Sequence, residues 1–255
     1  MALQTFPGPE KCKYVEMVLR KESEVFIMKK GLTELVFIVD KSSSMYELTE
    51  DTIGGFNSMI RKRKEGNVLV STVLFDTRFE TLHDRVPIEK IGKMTEEEYC
   101  AGGCTALLDA VGMTIGDIKA RQKKQRVANR PEKTIFVIIT DGYENSSTIY
   151  DYSEIKELVQ KQTNLGWEFL FLGANIDAFA EGERLGIKRN RSCKIAEDRI
   201  GTRMAYRDVG KFIDEAIEAE CMEDVGDEWC VESEVYCESR YISDEEAAEL
   251  FDDED

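Results

Sequence analysis

The sequence predicts an α/β protein with a doubly wound, mostly parallel six-stranded sheet, one antiparallel strand and helices on both faces. Residues 35–39 and 134–140 are short, continuous apolar runs that each end at an aspartate, a pattern typical of strands buried on both faces. Segments with helical spacing alternate with such runs, as expected for a parallel sheet covered by helices. A short turn at 76–78 separates the run 68–75 from 79–83 and predicts a hairpin that supplies the antiparallel strand.

The other elements follow in chain order. The first helix is predicted from Ile53, Phe56, Met59 and Ile60, which share one face at helical spacing. The predicted strands are 35–39, 68–75, 79–83, 134–140, 167–172 and a weak edge strand at 192–195. The predicted helices are 50–64, 106–124, 152–164, 176–185 and 201–220.

Three regions are expected along the chain: an N-terminal extension at 1–30, the α/β domain at 31–220 and an acidic C-terminal tail at 221–255. The tail has fifteen Asp and Glu residues against the single Arg240, which accounts for roughly fourteen of the seventeen net negative charges. Such a segment is expected to be solvated. The alternative is a short docked helix over 243–251, capped by Ser243 with Glu246 three residues later.

The composition excludes several classes of protein. Hydrophobic residues make up 42% of the 255 residues, a normal globular share, and no apolar run approaches the roughly 20 residues that cross a membrane. The N-terminus does not resemble a secretory signal peptide, so we expect a cytoplasmic location and reduced thiols for the seven cysteines. His83 is the only histidine, which excludes histidine-rich metal sites, and the acidic balance disfavours direct nucleic-acid binding.

Five oxygen-bearing side chains in three separate segments point to a metal site. Asp40, Ser42 and Ser44 follow the first strand, Thr105 comes after two glycines at the start of a helix, and Asp141 ends another buried strand. In doubly wound sheets ligands bind beyond the carboxyl ends of strands, where strand order reverses. Oxygen donors without His or Cys suit Mg²⁺, with Mn²⁺ or Ca²⁺ as alternatives.

The charge of this ligand set indicates how it is used. Two carboxylates balance a divalent cation, and three neutral hydroxyls add no further charge. A metal held in this way stays electrophilic toward one more anionic oxygen. We therefore expect a protein partner to offer an Asp or Glu carboxylate as a further ligand.

The pattern Asp40-x-Ser42-x-Ser44, Thr105 after Gly-Gly-x and Asp141 before glycine resembles the metal-ion-dependent adhesion site of von Willebrand factor A-type (vWA) domains. The resemblance covers about 31–220, and it is strongest to stand-alone bacterial cytoplasmic members. It implies a Rossmann-like fold and protein binding through the metal. Both serines would bind the metal directly, Thr105 directly or through water, and the aspartates often through water.

Seven further residues are candidates for the rim of the site. Ser43 stands where many members of this family have glycine, which removes no ligand. The full set of rim candidates is Ser43, Gly103, Gly142, Glu144, Asn145, Asn175 and Asp177. For Asn175 and Asp177 the sequence leaves helix capping open as the alternative role.

The predicted function is metal-dependent protein binding without catalysis. One alternative is a metal-dependent phosphoester hydrolase, although the sequence shows no general base, second metal set or phosphate clamp. Another is a scaffold whose acidic tail serves as an internal ligand of the metal site or as a nucleic-acid mimic. The sequence does not identify the partner or the oligomeric state.

Overall fold

Strand β1, Lys29–Asp40, runs through the middle of the sheet in the computed structural model of the protein, which describes residues 29–63 and 66–251. The sheet has six strands in the order β3-β2-β1-β4-β5-β6. The other strands are β2 Val68–Phe75, β3 Phe79–Pro87, β4 Pro131–Thr140, β5 Trp167–Ala174 and β6 Ser192–Ile195. Every neighbouring pair is parallel except β2 and β3, which confirms the predicted fold class.

The strand order places a reversal at the centre of the sheet. From β1 the chain moves outward through β2 to β3, and then returns to the other side of β1 and continues through β4, β5 and β6. The carboxyl ends of β1 and β4 therefore flank the switch point, where doubly wound sheets bind their ligands. Asp40 ends β1 and Asp141 directly follows β4.

The helices cover both faces of this sheet. Within the described residues they are α1 Thr49–Arg61, α2 Leu107–Lys124, α3 Tyr152–Thr163, α4 Ala178–Arg184, α5 Arg199–Glu218, α6 Val231–Ser239 and α7 Asp244–Phe251. Helices α1 to α5 match the predicted helices to within a few residues at each end. A short 3-10 helix, Ser43–Leu48, joins β1 to α1. In the described part of the chain, no helix is both long and apolar enough to cross a membrane.

The side chains of β1 divide between two hydrophobic cores, as the predicted double burial requires. Leu35, Phe37 and Val39 pack in the cluster that includes α1 and α5. Val36 and Ile38 pack in the cluster that includes α2 and α3. Successive strand residues point to opposite faces, so a continuous apolar run is needed wherever helices cover both sides.

Helices α1 and α5 approach closely because α1 carries two adjacent glycines. A methyl group on Gly54 would lie 2.2 Å from the Arg203 guanidinium, and one on Gly55 would lie 2.4 Å from the Tyr206 ring. Asp51, one turn earlier in α1, forms a buried ion pair with Arg203 at 3.3 Å. The missing side chains therefore make room for α5 to lie against α1.

The acidic segment after α5 is packed on the domain as far as residue 251, so the expectation of a solvated tail is wrong there. Trp229 is 6% exposed, meets Phe212 of α5 edge-on at 5.8 Å and donates a hydrogen bond to the Asn190 carbonyl at 3.0 Å. The docked helix predicted over 243–251 is confirmed as α7.

The predicted cap of α7 is also present. The Glu246 amide donates to the Ser243 hydroxyl at 3.2 Å, and the Ser243 amide donates to the Glu246 carboxylate at 3.1 Å, a reciprocal capping box. The sequence pattern does not predict helix α6. Residues 1–28 of the predicted extension lie outside the described residues, and the boundaries at 30 and 220 stay predictions.

Candidate metal centre

The switch point brings the three predicted ligand segments together. Val39 of β1 is level with Ile139 of β4, so that Asp40 lies beside Thr140 and close to Asp141. Four of the five predicted ligands are buried, with exposed fractions of 0% for Asp40, 2% for Ser42, 2% for Thr105 and 4% for Asp141. Ser44 is the exposed member and lies at the surface end of the group.

Asp40 is held by two hydrogen bonds in the interior. Its Oδ1 accepts from the Ser42 amide at 2.7 Å, and its Oδ2 accepts from the Thr140 hydroxyl at 2.6 Å. Burial raises the pKa of Asp40 to about 6, against the opposing effect of these hydrogen bonds, and the nearby charge of Asp141 raises it further. A buried carboxylate of this kind favours a cation beside it, because the charged form is otherwise poorly solvated.

The two serines connect Asp40 to Asp141. The Ser42 and Ser44 hydroxyl oxygens lie 3.1 Å apart, and Ser44 donates to Asp141 Oδ1 at 2.6 Å. Burial also raises the pKa of Asp141, and the charge of Glu197 contributes in the same direction. Two serine hydroxyls and an aspartate therefore share a single small volume.

Thr105 reaches this volume from the start of α2. A methyl group on Gly142 would lie 3.3 Å from the Thr105 Oγ1 and 3.7 Å from the Ser44 Oγ, so both hydroxyls border the same glycine. Asn145 fixes the Thr105 backbone from both sides. The Asn145 side-chain Oδ1 accepts from the Thr105 backbone amide at 2.9 Å, and the Asn145 backbone amide donates to the Thr105 carbonyl at 3.0 Å.

Ser43 and Gly103 join two of the loops. The Ser43 hydroxyl donates to the Gly103 carbonyl at 2.9 Å, and the Ser43 amide donates to the same oxygen at 3.2 Å. Gly103 has a φ of +78°, and a methyl group there would lie 2.9 Å from the Thr77 hydroxyl. A glycine is therefore required on both conformational and steric grounds. A glycine at position 43 would lack the hydroxyl and therefore the first of these two bonds.

Glu144 stabilises the first turn of α2. Its carboxylate accepts from the Leu108 amide in the first turn of α2 at 2.9 Å and from the Ser146 and Ser147 amides at 2.8 and 2.6 Å. A carboxylate at a helix N-terminus satisfies unpaired amides and favours the helix dipole. Glu144 therefore fixes the loop after Asp141 to the helix that presents Thr105.

Asn175 and Asp177 lie at the same edge of the sheet, beyond β5. Asp177 caps α4 by accepting from the Ala180 amide at 3.0 Å, the role left open by the sequence. Asn175 has a φ of 56° and donates to Glu197 at 2.8 Å. These two residues shape the loop next to the site, and the Asp177 amide donates to the Tyr143 hydroxyl at 3.2 Å.

Two residues that contact Asp40 were missed by the sequence reasoning. Thr140 directly precedes Asp141, and its position at the end of a strand level with Asp40 was a usable signal. Tyr99 is fully buried and donates its hydroxyl to the Asp40 carbonyl. It comes from the long connection between β3 and α2, and nothing in its local sequence indicates that contact.

The donor set fits a hard divalent cation. Asp40 and Asp141 supply two negative charges, while Ser42, Ser44 and Thr105 supply neutral hydroxyls, the oxygen chemistry that Mg²⁺, Mn²⁺ and Ca²⁺ prefer. Among residues 29–63 and 66–251, no group of three or more His, Cys, Asp or Glu side chains is arranged so that it could hold a metal ion. The hydroxyls therefore distinguish this site from a cluster of carboxylates or thiolates.

A doubly wound sheet with an oxygen-donor site at its switch point defines a Rossmann-like α/β protein. The particular form is the von Willebrand factor A-type fold, which this chain has. The vWF domain of the type V pilus tip protein Mfa5 from Porphyromonas gingivalis matches with a TM-score of 0.51 at 13% identity, over 74% of this chain and 97% of that one. The PilB minor pilin from Streptococcus sanguinis matches with a TM-score of 0.51 at 14% identity, over 73% and 62%.

A third structure carries a metal in its site. Proximal thread matrix protein 1 from the mussel byssus, with a zinc-occupied MIDAS motif, matches with a TM-score of 0.50 at 14% identity, over 72% of this chain and 46% of that one. The chain thus spans about half to two thirds of the first structures that it matches, with 46% and 62% of their lengths covered. Neither the comparison with family models nor that with curated proteins finds a match.

Proposed function

We propose that this protein is a metal-dependent protein-binding module and not an enzyme. Asp40, Ser42, Ser44, Thr105 and Asp141 would hold Mg²⁺, and an Asp or Glu carboxylate of a partner protein would complete its coordination. The observation that carries the proposal is the convergence of two buried carboxylates with neutral hydroxyls at the switch point. The two charges balance the cation, so a third carboxylate can bind without facing an excess of negative ligands.

The surface around the site supports a protein as the partner. Tyr46, Tyr143 and Ile149 are 75%, 51% and 59% exposed. Tyr46 lies in the short 3-10 helix that carries Ser44, and the other two lie in the loop that contains Asp141. Aromatic residues are enriched where proteins bind proteins. Tyr143 is held in place by its hydrogen bond from Asp177, which lowers the entropy lost when a partner packs against it.

The matched structures support a divalent metal and an adhesive role for the fold. One of them has zinc in its MIDAS motif, and two others belong to pilus proteins. Magnesium as the ion, a cytoplasmic bacterial setting and the partner's carboxylate remain parts of the proposal. The hydrolase alternative gains no support. Thr140, Asn145 and Tyr99 contact the ligand set, and their hydrogen bonds hold the ligands in place.

Calorimetric titration with Mg²⁺ and Mn²⁺ tests the first half of the proposal. We expect one bound ion per chain in the wild type and a large loss of affinity in Ser44→Ala and Thr105→Ala. Ser153→Ala is the matched control because it removes an exposed hydroxyl, on α3, that is not one of the proposed ligands. Equal affinity in all four proteins would rule out the proposed ligand set.

Affinity capture from the native cells tests the second half. We expect a protein to be retained in Mg²⁺, released by EDTA and lost in Ser44→Ala but not in Ser153→Ala. Tyr46→Ser and Tyr143→Ser should bind the metal normally and retain less of the partner. Capture that is the same with EDTA and with all variants would reject metal-dependent binding, even if the ion itself binds.

A further inference from the structure

Three cysteines meet where helix α6 packs against the edge strand β6. Cys193 is the second residue of β6, Cys230 directly precedes α6, and Cys237 lies near the end of that helix. The Cys237 thiol donates to the Lys194 carbonyl of β6 at 3.2 Å. Cysteine side chains from both ends of α6 therefore face the same short strand.

The thiols of Cys193 and Cys230 contact each other in the interior. They are 0% and 6% exposed and belong to the same hydrophobic core. A hydrogen bond between the two thiols raises the pKa of Cys193 well above its usual range, and burial acts in the same direction. The two residues are 37 positions apart in the sequence, so the packing of α6 on β6 is what brings them together.

The other polar contacts of these two thiols are weak. The Cys193 Sγ lies 3.6 Å from the Lys194 carbonyl oxygen, and the Cys230 Sγ lies 3.6 Å from the Glu234 carboxylate. A thiol is a weak hydrogen-bond donor, so little is lost when either sulfur leaves these partners. The strongest interaction open to each sulfur is therefore a covalent bond to the other.

An open cavity brings small molecules from the solvent close to this pair. Its volume is about 720 Å³, and on the α6 side it is lined by Glu234, Cys237 and Glu238. Glu234 is also the residue that contacts the Cys230 sulfur. A small oxidant that enters the cavity is thus one side chain away from Cys230.

We propose that Cys193 and Cys230 form an oxidation site, at which hydrogen peroxide joins α6 to β6 through a disulfide. Cys230 reacts first because it is the more exposed of the two. Its sulfur attacks the O–O bond and becomes a sulfenic acid, and the other peroxide oxygen leaves as water with the thiol proton. The Cys193 sulfur then attacks the sulfenic sulfur, the S–S bond forms, and the hydroxyl leaves as a second water with the Cys193 proton.

Such a disulfide would fasten the acidic C-terminal segment to the sheet. Without it, α6 is held by non-covalent contacts such as the hydrogen bond from Ser233 to Asp208 at 2.6 Å. The new bond would close a loop that contains the whole of α5, and closing a long loop restricts the unfolded chain. The oxidised protein therefore resists undocking of α6, and reduction reverses the effect. This inference is independent of the metal site.

Peptide mapping of the full chain after mild treatment with hydrogen peroxide tests the proposal. Remaining thiols are alkylated, and the protein is digested without reductant. We expect a peptide pair joined through Cys193 and Cys230 that dithiothreitol separates. The exposed thiols of Cys100 and Cys104 react without access to the interior and show that enough oxidant was present. If both have reacted while Cys193 and Cys230 are still free thiols, the proposal is wrong.

Cys237→Ser is the matched control for Cys230→Ser, because both replace a thiol at the contact between α6 and β6. The disulfide should form in Cys237→Ser and be absent in Cys230→Ser. On oxidation, amide exchange in 231–239 should slow by at least about tenfold in the wild type and in Cys237→Ser, and stay unchanged in Cys230→Ser. A main product that joins Cys193 to Cys237, or equal exchange in the oxidised and reduced wild type, would overturn the proposal.

Discussion

Asp40 illustrates how one buried residue makes the stability of the protein depend on both pH and metal. Its pKa is raised to about 6 by burial, whereas an aspartate in the unfolded chain titrates near 3.9. The folded state therefore binds the proton more tightly than the unfolded state. In the metal-free protein, the contribution of Asp40 to stability is fully present below about pH 4 and is lost as pH rises through about 6.

We predict that Asp40→Asn removes this loss. In EDTA, the free energy of unfolding of the variant relative to wild type should increase by about 3 kcal/mol between pH 4 and pH 6 and then level off. Mg²⁺ should stabilise the wild type above pH 6 and leave the variant unchanged. Urea denaturation with and without Mg²⁺ measures both effects, and parallel pH profiles for the two proteins would contradict the prediction.

Asn145 is predicted to act on the metal through Thr105. Asn145→Ala removes the acceptor of the buried Thr105 amide and should loosen a ligand without deleting it. Loss of such an outer partner typically weakens metal binding by about 10- to 100-fold. Calorimetric titration with Mn²⁺ measures the effect. If the affinity of Asn145→Ala equals that of wild type, Thr105 does not depend on this bond.

The ligands are easier to predict from the sequence than the residues that hold them in place. Asp40, Ser42 and Ser44 lie within five residues, and Asp141 ends an apolar run, so short-range spacing predicts them. Asn145 and Tyr99 contact the site from 40 and 59 residues away. Asn145 is a rim candidate because it follows Asp141 by four residues, but its bond to Thr105 depends on how two loops meet after folding. No local pattern indicates the contact of Tyr99.

At the scale of the elements, the packing of helix α1 against α5 depends on Gly55. Gly55→Ala would place a methyl group 2.4 Å from the Tyr206 ring, and overpacking of this kind costs about 1 to 3 kcal/mol. This exceeds the roughly 1 kcal/mol that alanine gains over glycine in a helix. We therefore predict that Gly55→Ala is destabilised in urea denaturation.

Gly116 of α2 provides the matched control. It is exposed, and a methyl group there would meet nothing within 4 Å. Gly116→Ala should stabilise the protein by about 0.5 to 1 kcal/mol because only the helix propensity changes. Equal shifts of the same sign for the two variants would show that α1 and α5 tolerate more space between them.

Helices and strands with a continuous hydrophobic pattern could be predicted from the sequence. Helix α6 lacks such a pattern and could not be predicted. Strands β2 and β6 have the predicted bounds. In α6 the apolar residues Val231 and Val235 are 46% and 56% exposed, while the buried face includes Ser233, which bonds to Asp208 of α5 at 2.6 Å. A helix docked through a buried hydroxyl and carboxylate lacks the apolar stripe on which such predictions depend.

At the scale of the whole molecule, the acidic segment contributes to stability as well as charge. Trp229 joins it to α5 and to the loop before β6, so we predict that Trp229→Ala costs about 3 to 5 kcal/mol. Tyr241→Ala, at a residue 74% exposed, should change the free energy of unfolding by less than about 0.5 kcal/mol. Urea denaturation compares the two, and a small loss for Trp229→Ala would mean that the segment packs only loosely.

The place of β1 at the centre of the sheet has a consequence for synthesis on the ribosome. Its partner β4 is made about a hundred residues later, and Ser44 and Asp141 are separated by 97 positions. At ordinary rates of 5 to 20 residues per second, that gap takes roughly 5 to 20 s. During this interval β1 can pair only with β2, its other edge has no partner, and only part of the ligand set exists. The full set of five proposed ligands therefore cannot bind an ion until β4 has been synthesised.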